Sequence, residues 1–386
     1  MVPGRSKKVR MGMVGGGEGA FIGQVHRQAA SLDGRIELVC GAFSRDADNN
    51  RRTGEVLGLS PERCYESWQK LLEAEAELPV EERAQFISIV TPNHLHAPIA
   101  ETALLAGFHV FSEKPAALSL NEVKRLARTL SASDCLYGLA HTYLGYPMVW
   151  QARELVSSGA IGQLRKVFVE YPQGWLSEDQ AARGSKQAIW RGEPEQAGPS
   201  GCMADIGTHA FNLAEFVSGQ RIVRICATLG THVGGRQLDD DGAALFQMNE
   251  GASGVLVASQ VCAGEENALR LRVYGEKGGL EWCQEEPNSL VQRTLGEPVR
   301  VLRAGVDQIW LCDEARRRMR LPAGHPEGYL EAMANLYGDF ADAIRAPGLT
   351  GFPGIEAAIR GMAFVEAAVA SHLSDSKWTT LASDDE

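Results

Sequence analysis

The sequence lacks the features that mark several specialised classes of protein. Its eight cysteines are scattered from Cys40 to Cys312 without a C-x-x-C pair, so neither a zinc knuckle nor a dense disulfide framework is expected. It has no run of about 18 apolar residues, so we expect no transmembrane helix. It also has no basic excess, because 49 acidic side chains outnumber 38 basic ones and the formal net charge is −11. This balance argues against nucleic-acid and anionic-membrane partners.

The first apolar stretch is too short, and too broken by glycines, to resemble a secretory signal. We therefore expect a cytoplasmic protein with reduced thiols. What the chain does contain is 386 residues, 44% of them apolar, enough for two domains with substantial cores.

Two different patterns of secondary structure divide the chain. In the first third, apolar β-type runs alternate with helical segments, which predicts an α/β domain with a parallel, doubly wound Rossmann sheet. Later strand patterns follow one another through hairpin-type turns, which predicts an α+β domain with a mostly antiparallel open sheet. We predict a dinucleotide-binding domain over 1–140 and a domain for substrate binding and oligomerisation over 141–386. The terminal helices of the second domain can pack back on the first.

A glycine-rich stretch, VRMGMVGGGEGAFIGQVH over residues 9–26, joins the first predicted strand to the first predicted helix. Such a turn lets the backbone approach a pyrophosphate at a helix N-terminus. Gly15, Gly17 and Ala20 satisfy the G-x-G-x-x-G/A fingerprint. The helical phase favours Gly23 for the close helix–strand contact, and Glu18 to Ile22 would then form an enlarged loop with the Glu18 carboxylate facing solvent. The predicted cofactor residues of this stretch are Gly15, Gly17, Ala20, Phe21, Ile22 and Gly23.

The end of the second strand bears on the choice between NAD and NADP. An acidic residue there binds the ribose 2′-hydroxyl of NAD, whereas an arginine can bind the 2′-phosphate of NADP. The strand ends in GAFSRD, which places Ser44 and Arg45 at the deciding position. Asp46 can still reach the ribose if the turn is tight, and Arg45 can equally be a solvated surface residue. We expect NAD or NADP, and Arg45 favours NADP.

Three further motifs follow in order: TPNHLH over 91–96, SEKPAALS over 112–119 and GPSGCMADIGTHAFNLAEFVSG over 198–219. Together with the glycine turn, this ordered set resembles the Gfo/Idh/MocA family of oxidoreductases, which includes glucose–fructose oxidoreductase and inositol dehydrogenases. The resemblance extends over nearly the whole chain. It implies Lys114, Asp205 and His209 as the catalytic set, and a cis peptide bond before Pro115.

The residues support the same chemistry on physical grounds. Ligands of open α/β sheets bind beyond the carboxyl ends of the strands, and the TPNHLH and SEKPAALS motifs are expected at such ends. A lysine near the nicotinamide can stabilise negative charge that develops on a substrate oxygen. These motifs add the following to the predicted cofactor residues: Thr91, Pro92, Asn93, His96, Glu113 and Lys114.

His209 is the predicted proton acceptor or donor. It is expected at a helix start, where the helix dipole keeps the imidazole neutral as a base. Asp205, four residues earlier, would orient the lysine, the imidazole or a substrate hydroxyl. A helix-capping aspartate and a core histidine are the alternatives. We predict no metal site, because no other histidine or cysteine has suitable spacing.

A long polar insertion over 171–201 carries predicted substrate residues. Trp175 and Trp190 can stack on the apolar face of a sugar, and Arg191 can bind hydroxyls or an acidic group. Oligomer contacts or simple anchoring of the tryptophans are equal alternatives. His141 and Tyr143, at a strand end, are predicted to line the same site with His209. Many relatives carry an arginine near the HTYLGY segment that is missing here, so analogy does not name the substrate.

The prediction is therefore an NAD(P)-dependent oxidoreductase. It would transfer a hydride between nicotinamide and a secondary alcohol or ketone of a sugar, glycoside or inositol. The alternatives are an imine or enone reductase of the same family and a nucleotide-sensing Rossmann protein without turnover. The expected partners are a small polyol or sugar and further copies of the chain, as a homodimer or homotetramer formed through the C-terminal sheet.

Overall fold

The computed structural model describes residues 7–182, 184–346, 348–349 and 351–382. The chain divides into two compact units. The first runs to Ala117 and includes Asn121–Ala140 and Met333–Ile355. The second comprises Leu118–Leu120, His141–Ala332 and the chain from Glu356 onward. This division is not a test of the predicted domain limits, 1–140 and 141–386, which stay a prediction.

The strands form two sheets. In chain order they are β1 Val9–Gly15, β2 Ile36–Ala42, β3 Phe86–Val90, β4 His109–Ser112, β5 Tyr137–Leu139, β6 Leu164–Pro172, β7 Ile222–Gly230, β8 Asp241–Met248, β9 Ser253–Ser259, β10 Arg270–Gly275, β11 Gly278–Cys283, β12 Ser289–Thr294, β13 Arg300–Arg303 and β14 Thr379–Thr380.

The helices include two that are only one turn long. In chain order they are α1 Phe21–Leu32, α2 Ala47–Val56, α3 Trp68–Glu77, α4 His96–Leu105, α5 Leu120–Ser131, α6 Pro147–Ser157, α7 Lys186–Arg191, α8 Pro194–Ala197, α9 Thr208–Ser218, α10 Asp313–Arg316, α11 Tyr329–Arg345 and α12 Ile355–Leu373. Short 3-10 turns cover Pro61–Arg63, Asn93–Leu95 and Thr142–Gly145, and a π-helical turn covers Met203–Gly207.

The first unit is built on a parallel sheet in the order β2-β1-β3-β4-β5. Its central strands are almost entirely apolar and buried, as expected for a sheet with both faces covered. Helix α4 packs against β3 and β4, and α1 and α3 pack against β2. The predicted Rossmann architecture is confirmed.

An aromatic cluster joins this sheet to the far end of the chain. Phe86 and Phe111 on the strands pack against Tyr337 and Phe340 of α11. The ring centres of Phe111 and Tyr337 lie 4.5 Å apart, and those of Phe86 and Phe340 lie 5.4 Å apart. Residues more than two hundred positions apart in sequence therefore share one apolar core.

The second unit contains a nine-stranded sheet in the order β13-β12-β11-β10-β6-β9-β8-β7-β14. All neighbouring strands run antiparallel except β6 and β9, which are parallel. The predicted mostly antiparallel sheet is confirmed. Helix α9 packs against β6, β9 and β10, and this contact positions the residues at the start of α9. Within the described residues, no helix is long and apolar enough to cross a membrane.

Candidate active site

The turn between β1 and α1 is packed so closely that side chains are excluded from it. Gly15 has a φ of +85°, and a Cβ there would lie 2.7 Å from the carbonyl oxygen of Val90. A Cβ on Gly17 would lie 2.4 Å from Asn49 Oδ1. A Cβ on Gly23 would lie 2.3 Å from Gly16 Cα. Gly23 therefore lies at a close contact between helix α1 and the backbone of the glycine turn at Gly16.

The predicted enlarged loop over Glu18 to Ile22 is wrong. Helix α1 begins at Phe21 with Ala20 as its N-cap residue, so Phe21 and Ile22 are helical. The reason is a tight turn, in which the Ala20 N–H donates to the Gly17 carbonyl at 3.0 Å and starts the helix two residues earlier than expected. The Glu18 carboxylate is exposed, as predicted, and pairs with Arg52 at 3.0 Å.

The geometry of this turn fits a dinucleotide pyrophosphate. The first N–H groups of a helix have no acceptor within the helix, and they carry the positive end of its dipole. No side chain caps these groups in α1, and the glycines let a ligand approach the backbone. Nearby, Thr91 Oγ1 is buried and has no hydrogen-bond partner among the described residues. The turn thus offers unused donors and space where a Cβ would otherwise stand.

The residues after β2 leave the 2′-position of the ribose open to either cofactor. Ser44 is half-buried and Arg45 is exposed. Asp46 caps α2, because its Oδ1 accepts a hydrogen bond from the Asn49 N–H at 2.7 Å. The Asp46 N–H donates in turn to Ser44 Oγ at 3.1 Å. The Asp46 carboxylate is therefore held at the helix start, while the Arg45 side chain extends into solvent.

Within the first unit, His96 links the TPNHLH motif to the SEKPAALS motif. Its ring is buried, with Nδ1 2.7 Å from the Pro115 carbonyl oxygen and Nε2 2.8 Å from that of Thr91. Burial lowers the pKa of His96, although both carbonyl contacts favour the charged ring. Pro92 and Asn93 lie between the linked residues on the turn after β3. The bond between Lys114 and Pro115 is cis, as the resemblance implies.

A buried polar chain lies behind the Lys114 turn, and sequence analysis did not identify it. Glu113 Oε1 is 2.9 Å from His26 Nε2, and His26 Nδ1 is 2.6 Å from the Tyr337 hydroxyl. Burial opposes ionisation of Glu113, but the His26 hydrogen bond and the nearby positive charge outweigh it and lower the pKa of this carboxyl. A histidine on the buried face of α1 was the only sequence signal, and nothing in the sequence pointed to Tyr337.

In the second unit, His209 is the second residue of α9, which fits the predicted helix start. The π-helical turn Met203–Gly207, however, runs directly into this helix. The carboxylate of Asp239 accepts from the N–H groups of Gly201 and Met203 at 2.8 and 3.0 Å, so the helical segment is capped well before His209. The proposed effect of the helix dipole on this imidazole loses its basis. Turns of this kind are frequent at functional sites.

Three predicted residues come together here: His141 and Tyr143 contact the ring of His209. His141 Nδ1 lies 3.4 Å from His209 Nδ1, and the edge of the Tyr143 ring packs on His209 with centres 4.9 Å apart. All three side chains are buried. Between two neutral imidazoles, this contact requires a proton on one Nδ1 and a lone pair on the other. When His209 carries that proton, its Nε2 has the lone pair that a base needs.

A tyrosine pair borders the imidazoles. The hydroxyls of Tyr143 and Tyr171 contact each other, and Tyr171 donates to Asn267 Oδ1 at 2.6 Å. Burial raises the pKa of both phenols well above the ordinary value for tyrosine. Both therefore remain protonated at neutral pH and act as hydrogen-bonding groups.

Asp205 is held by groups from two directions. Gln260 Nε2 donates to its Oδ2 at 2.9 Å, and Arg191 Nε lies 3.4 Å from the same oxygen. The Arg191 guanidinium stacks on the Trp190 ring at 4.6 Å. Helix α7 of the insertion thus brings Trp190 and Arg191 to Asp205, while Trp175 is half-buried in the segment after β6. The described residues contain no group of three or more side chains that could hold a metal ion.

Comparison with known families accounts for both units. Residues 9–141 match the profile described as an oxidoreductase family with an NAD-binding Rossmann fold, and residues 149–281 match the GFO/IDH/MocA C-terminal domain. The chain belongs to the Gfo/Idh/MocA family. The resemblance seen in the motifs is confirmed, and this Gfo/Idh/MocA protein is an enzyme of the oxidoreductase class with an NAD-binding Rossmann domain.

Two curated relatives match most of the chain. The uncharacterised oxidoreductase YfiI of Bacillus subtilis is 33% identical over 384 residues, which is 97% of each chain. The inositol 2-dehydrogenase of Rhizobium meliloti is 24% identical, and the match covers 73% of this chain and 78% of the relative.

Solved structures give the same picture. An inositol dehydrogenase homologue from Azotobacter vinelandii, complexed with NAD+, is 36% identical with a TM-score of 0.92, over 97% of this chain and 98% of that chain. An inositol dehydrogenase homologue from the same organism, complexed with NADH and myo-inositol, is 35% identical with a TM-score of 0.90 and the same coverage.

The Gly16–Gly23 contact predicts the outcome of a methyl insertion. Gly23→Ala should lower the free energy of unfolding by about 1–3 kcal/mol, because the new Cβ overpacks the turn, and it should weaken dinucleotide binding. Chemical denaturation and cofactor titration measure the two effects. Gly338→Ala is the control in the same unit, because its Cβ meets only the flexible end of Arg35, at 3.1 Å. Equal effects of the two substitutions would contradict the close-packing account.

Proposed function

We propose that the protein oxidises a secondary alcohol of a neutral cyclitol or sugar with NAD, or reduces the corresponding ketone. The observation that carries the proposal is the buried His209 imidazole, whose Nδ1 faces His141 at 3.4 Å. The proposed role assigns the other ring nitrogen of His209, Nε2, to the substrate hydroxyl. A positioned imidazole is the side chain most often used for proton transfer near neutral pH.

The first unit supplies the residues proposed to hold the dinucleotide. When bound, the nicotinamide supplies the acceptor or donor of the hydride. The glycine turn and the first turn of α1 receive the pyrophosphate through backbone N–H groups. The proposed cofactor residues are Gly15, Gly17, Ala20, Phe21, Ile22, Gly23, Ser44, Arg45, Thr91, Pro92, Asn93, His96, Glu113 and Lys114.

Three side chains are proposed to carry the proton and charge chemistry. In oxidation, Nε2 of His209 removes the hydroxyl proton of the substrate, and in reduction it returns that proton to the oxygen. The Lys114 ammonium stabilises the negative charge that develops on this oxygen. Asp205 accepts a hydrogen bond from a substrate hydroxyl and so fixes which carbon reacts.

The charge balance around Asp205 favours a neutral polyol as substrate. Arg191 is already paired with Asp205, so its positive charge is partly neutralised and is not reserved for an acidic substrate. The stacked Trp190 ring and Trp175 offer apolar surface suited to the C–H face of a sugar or cyclitol. His141, Tyr143 and Tyr171 provide hydrogen-bonding groups beside His209. The inositol dehydrogenase names among the relatives support the same class.

NAD is the proposed cofactor. The preference for NADP drawn from Arg45 finds no support in the comparisons, because the A. vinelandii structures hold NAD+ or NADH. Asp46 lies one residue beyond Arg45, and its Oδ1 is held by the α2 cap. We propose that this carboxylate accepts a hydrogen bond from the ribose 2′-hydroxyl of NAD, while the exposed Arg45 side chain stays in solvent.

We also propose that copies of the chain associate through the sheet of the second unit as a homodimer or homotetramer. Leu245 of β8 and Val301 of β13 are each about half exposed, at 50% and 55%, and such apolar side chains suit an interface between like sheets.

A substrate screen tests the proposed reaction. With NAD, the protein should reduce the nicotinamide in the presence of one or more inositols or sugars, seen as a rise in near-ultraviolet absorbance. Uronic acids and sugar phosphates should react more slowly than their neutral counterparts. Turnover of enones or imines with no turnover of any polyol would replace this proposal by the reductase alternative.

Substitution of the proposed base separates chemistry from binding. His209→Ala should lower kcat by about 10²–10⁴-fold, the usual contribution of a general base, while the NADH dissociation constant changes by less than about twofold. His325→Ala is the control, because that histidine is exposed in the second unit. Stopped-flow measurement of the hydride-transfer step and fluorescence titration of NADH give the two quantities. Equal losses in rate and cofactor affinity would contradict the role of His209.

The cofactor assignment has its own test. The unaltered protein should have a higher kcat/KM for NAD than for NADP, and Arg45→Ala should lower kcat/KM for NADP by about tenfold, the loss of one charge-assisted phosphate contact. The value for NAD should stay within twofold. Arg51→Ala serves as the control for a general change in surface charge. A higher value for NADP in the unaltered protein would overturn the assignment of NAD.

A further inference from the structure

We propose that Ser88, Tyr337, His26 and Glu113 form a buried chain that positions Lys114, so that Tyr337 and His26 are positioning residues for the reaction. This inference rests on the catalytic role proposed for Lys114. It adds two residues, His26 of α1 and Tyr337 of α11, that have no role in the function proposed above.

The chain of contacts is continuous. Ser88 Oγ lies 2.8 Å from the Tyr337 hydroxyl, which lies 2.6 Å from His26 Nδ1. His26 Nε2 lies 2.9 Å from Glu113 Oε1, and the second oxygen of Glu113 accepts the Lys114 backbone N–H at 3.0 Å. All five residues belong to the first unit, so one structural body contains the whole chain.

The protons in this chain can be ordered from its Glu113 end. The lowered pKa of Glu113 keeps this carboxyl ionised, so it accepts on both oxygens and His26 donates from Nε2. With a neutral ring, His26 Nδ1 then accepts from the Tyr337 hydroxyl, and that oxygen accepts from Ser88. Every donor in this arrangement points toward Glu113. The negative charge is thereby stabilised beside Lys114, as charge-assisted hydrogen bonds are stronger than neutral ones.

The chain fixes geometry and is not a path for protons to solvent. His26, Ser88 and Tyr337 are at most 1% exposed, and only the Glu113 end, at 13%, reaches the surface. A proton entering from Glu113 would have no exit at Ser88. What the chain does instead is hold one rotamer of Glu113, which holds the backbone from which the Lys114 side chain extends. Small displacements of such a group lower reaction rates strongly.

The packing makes this placement rigid. The Tyr337 ring centre lies 4.5 Å from that of Phe111, 5.7 Å from that of His26 and 6.2 Å from that of Phe86. Buried polar groups are costly unless all their partners are present. Each member of this chain is satisfied only when the others are in place, so the Tyr337 hydroxyl controls the geometry at the far end.

The test removes only the hydroxyl. Tyr337→Phe keeps the aromatic packing and should lower kcat by about tenfold through misplacement of Lys114, with the NADH dissociation constant within twofold. Tyr65→Phe is the matched control, because it removes a half-buried hydroxyl that donates to Glu75 at 2.9 Å elsewhere in the same unit. This control should lower the melting temperature by a similar amount and leave kcat unchanged. If the two variants lose stability alike and neither changes kcat, the chain is structural only and the inference is wrong.

Two further variants distinguish this inference from the proposed function. His26→Gln keeps a donor for Glu113 and should retain most of the kcat that His26→Leu loses. Adding Tyr337→Phe to Lys114→Met should cause no further loss, as expected for residues that act through one another. Full activity of Lys114→Met would overturn the proposed function. Loss of activity in Lys114→Met, with additive effects in the double variant, would overturn only the positioning role.

Discussion

The close approach of Gly16 and Gly23 is the constraint on which the first unit depends. Because neither residue has a side chain, α1 can pack directly on the glycine turn, where its first N–H groups are proposed to receive a pyrophosphate. The same approach sets the position of the rest of the helix. His26, one turn beyond Gly23, is thereby brought within 2.9 Å of Glu113. One backbone contact thus orders both the phosphate end of the site and the turn that carries Lys114.

The second unit reaches a comparable result through helix geometry. The π-helical turn before α9 accommodates Asp205 and passes into a regular helix at Thr208, so Asp205 and His209 have different surroundings although they lie four residues apart. Asp205 is bound by Gln260 and Arg191, whereas His209 is enclosed by His141 and Tyr143. A charged pair and a buried imidazole enclosed by ring side chains therefore sit side by side. Such separation of environments assigns different roles to neighbouring side chains.

The sequence predicts those features that depend on a local pattern of residues. The alternation of strands and helices predicts the parallel sheet, and the ordered motifs indicate the family. Prediction failed where one hydrogen bond decides the outcome. The start of α1 depends on the bond from Ala20 to Gly17, and the capping of the helical segment before His209 depends on Asp239, thirty residues downstream. The contact between Tyr337 and His26 could not be predicted from the sequence, because the two residues are 311 positions apart and no periodicity connects them. Arg45 did not decide between NAD and NADP, since its side chain is exposed and the comparisons give no support for NADP.

The contribution of α11 explains why a Rossmann unit includes residues from near the end of the chain. A five-stranded parallel sheet must cover its apolar faces, and the aromatic residues of α11 meet Phe86 and Phe111 for that purpose. An apolar residue at position 337 would satisfy this packing equally well. A tyrosine there introduces a hydroxyl into the most buried part of the unit, and that hydroxyl is stable only because Ser88 and His26 both bind it. Burial of the polar side chains of Ser88, Tyr337 and His26 costs free energy. The hydrogen bonds among them offset this cost, and the last of these bonds fix Glu113 and the backbone of Lys114.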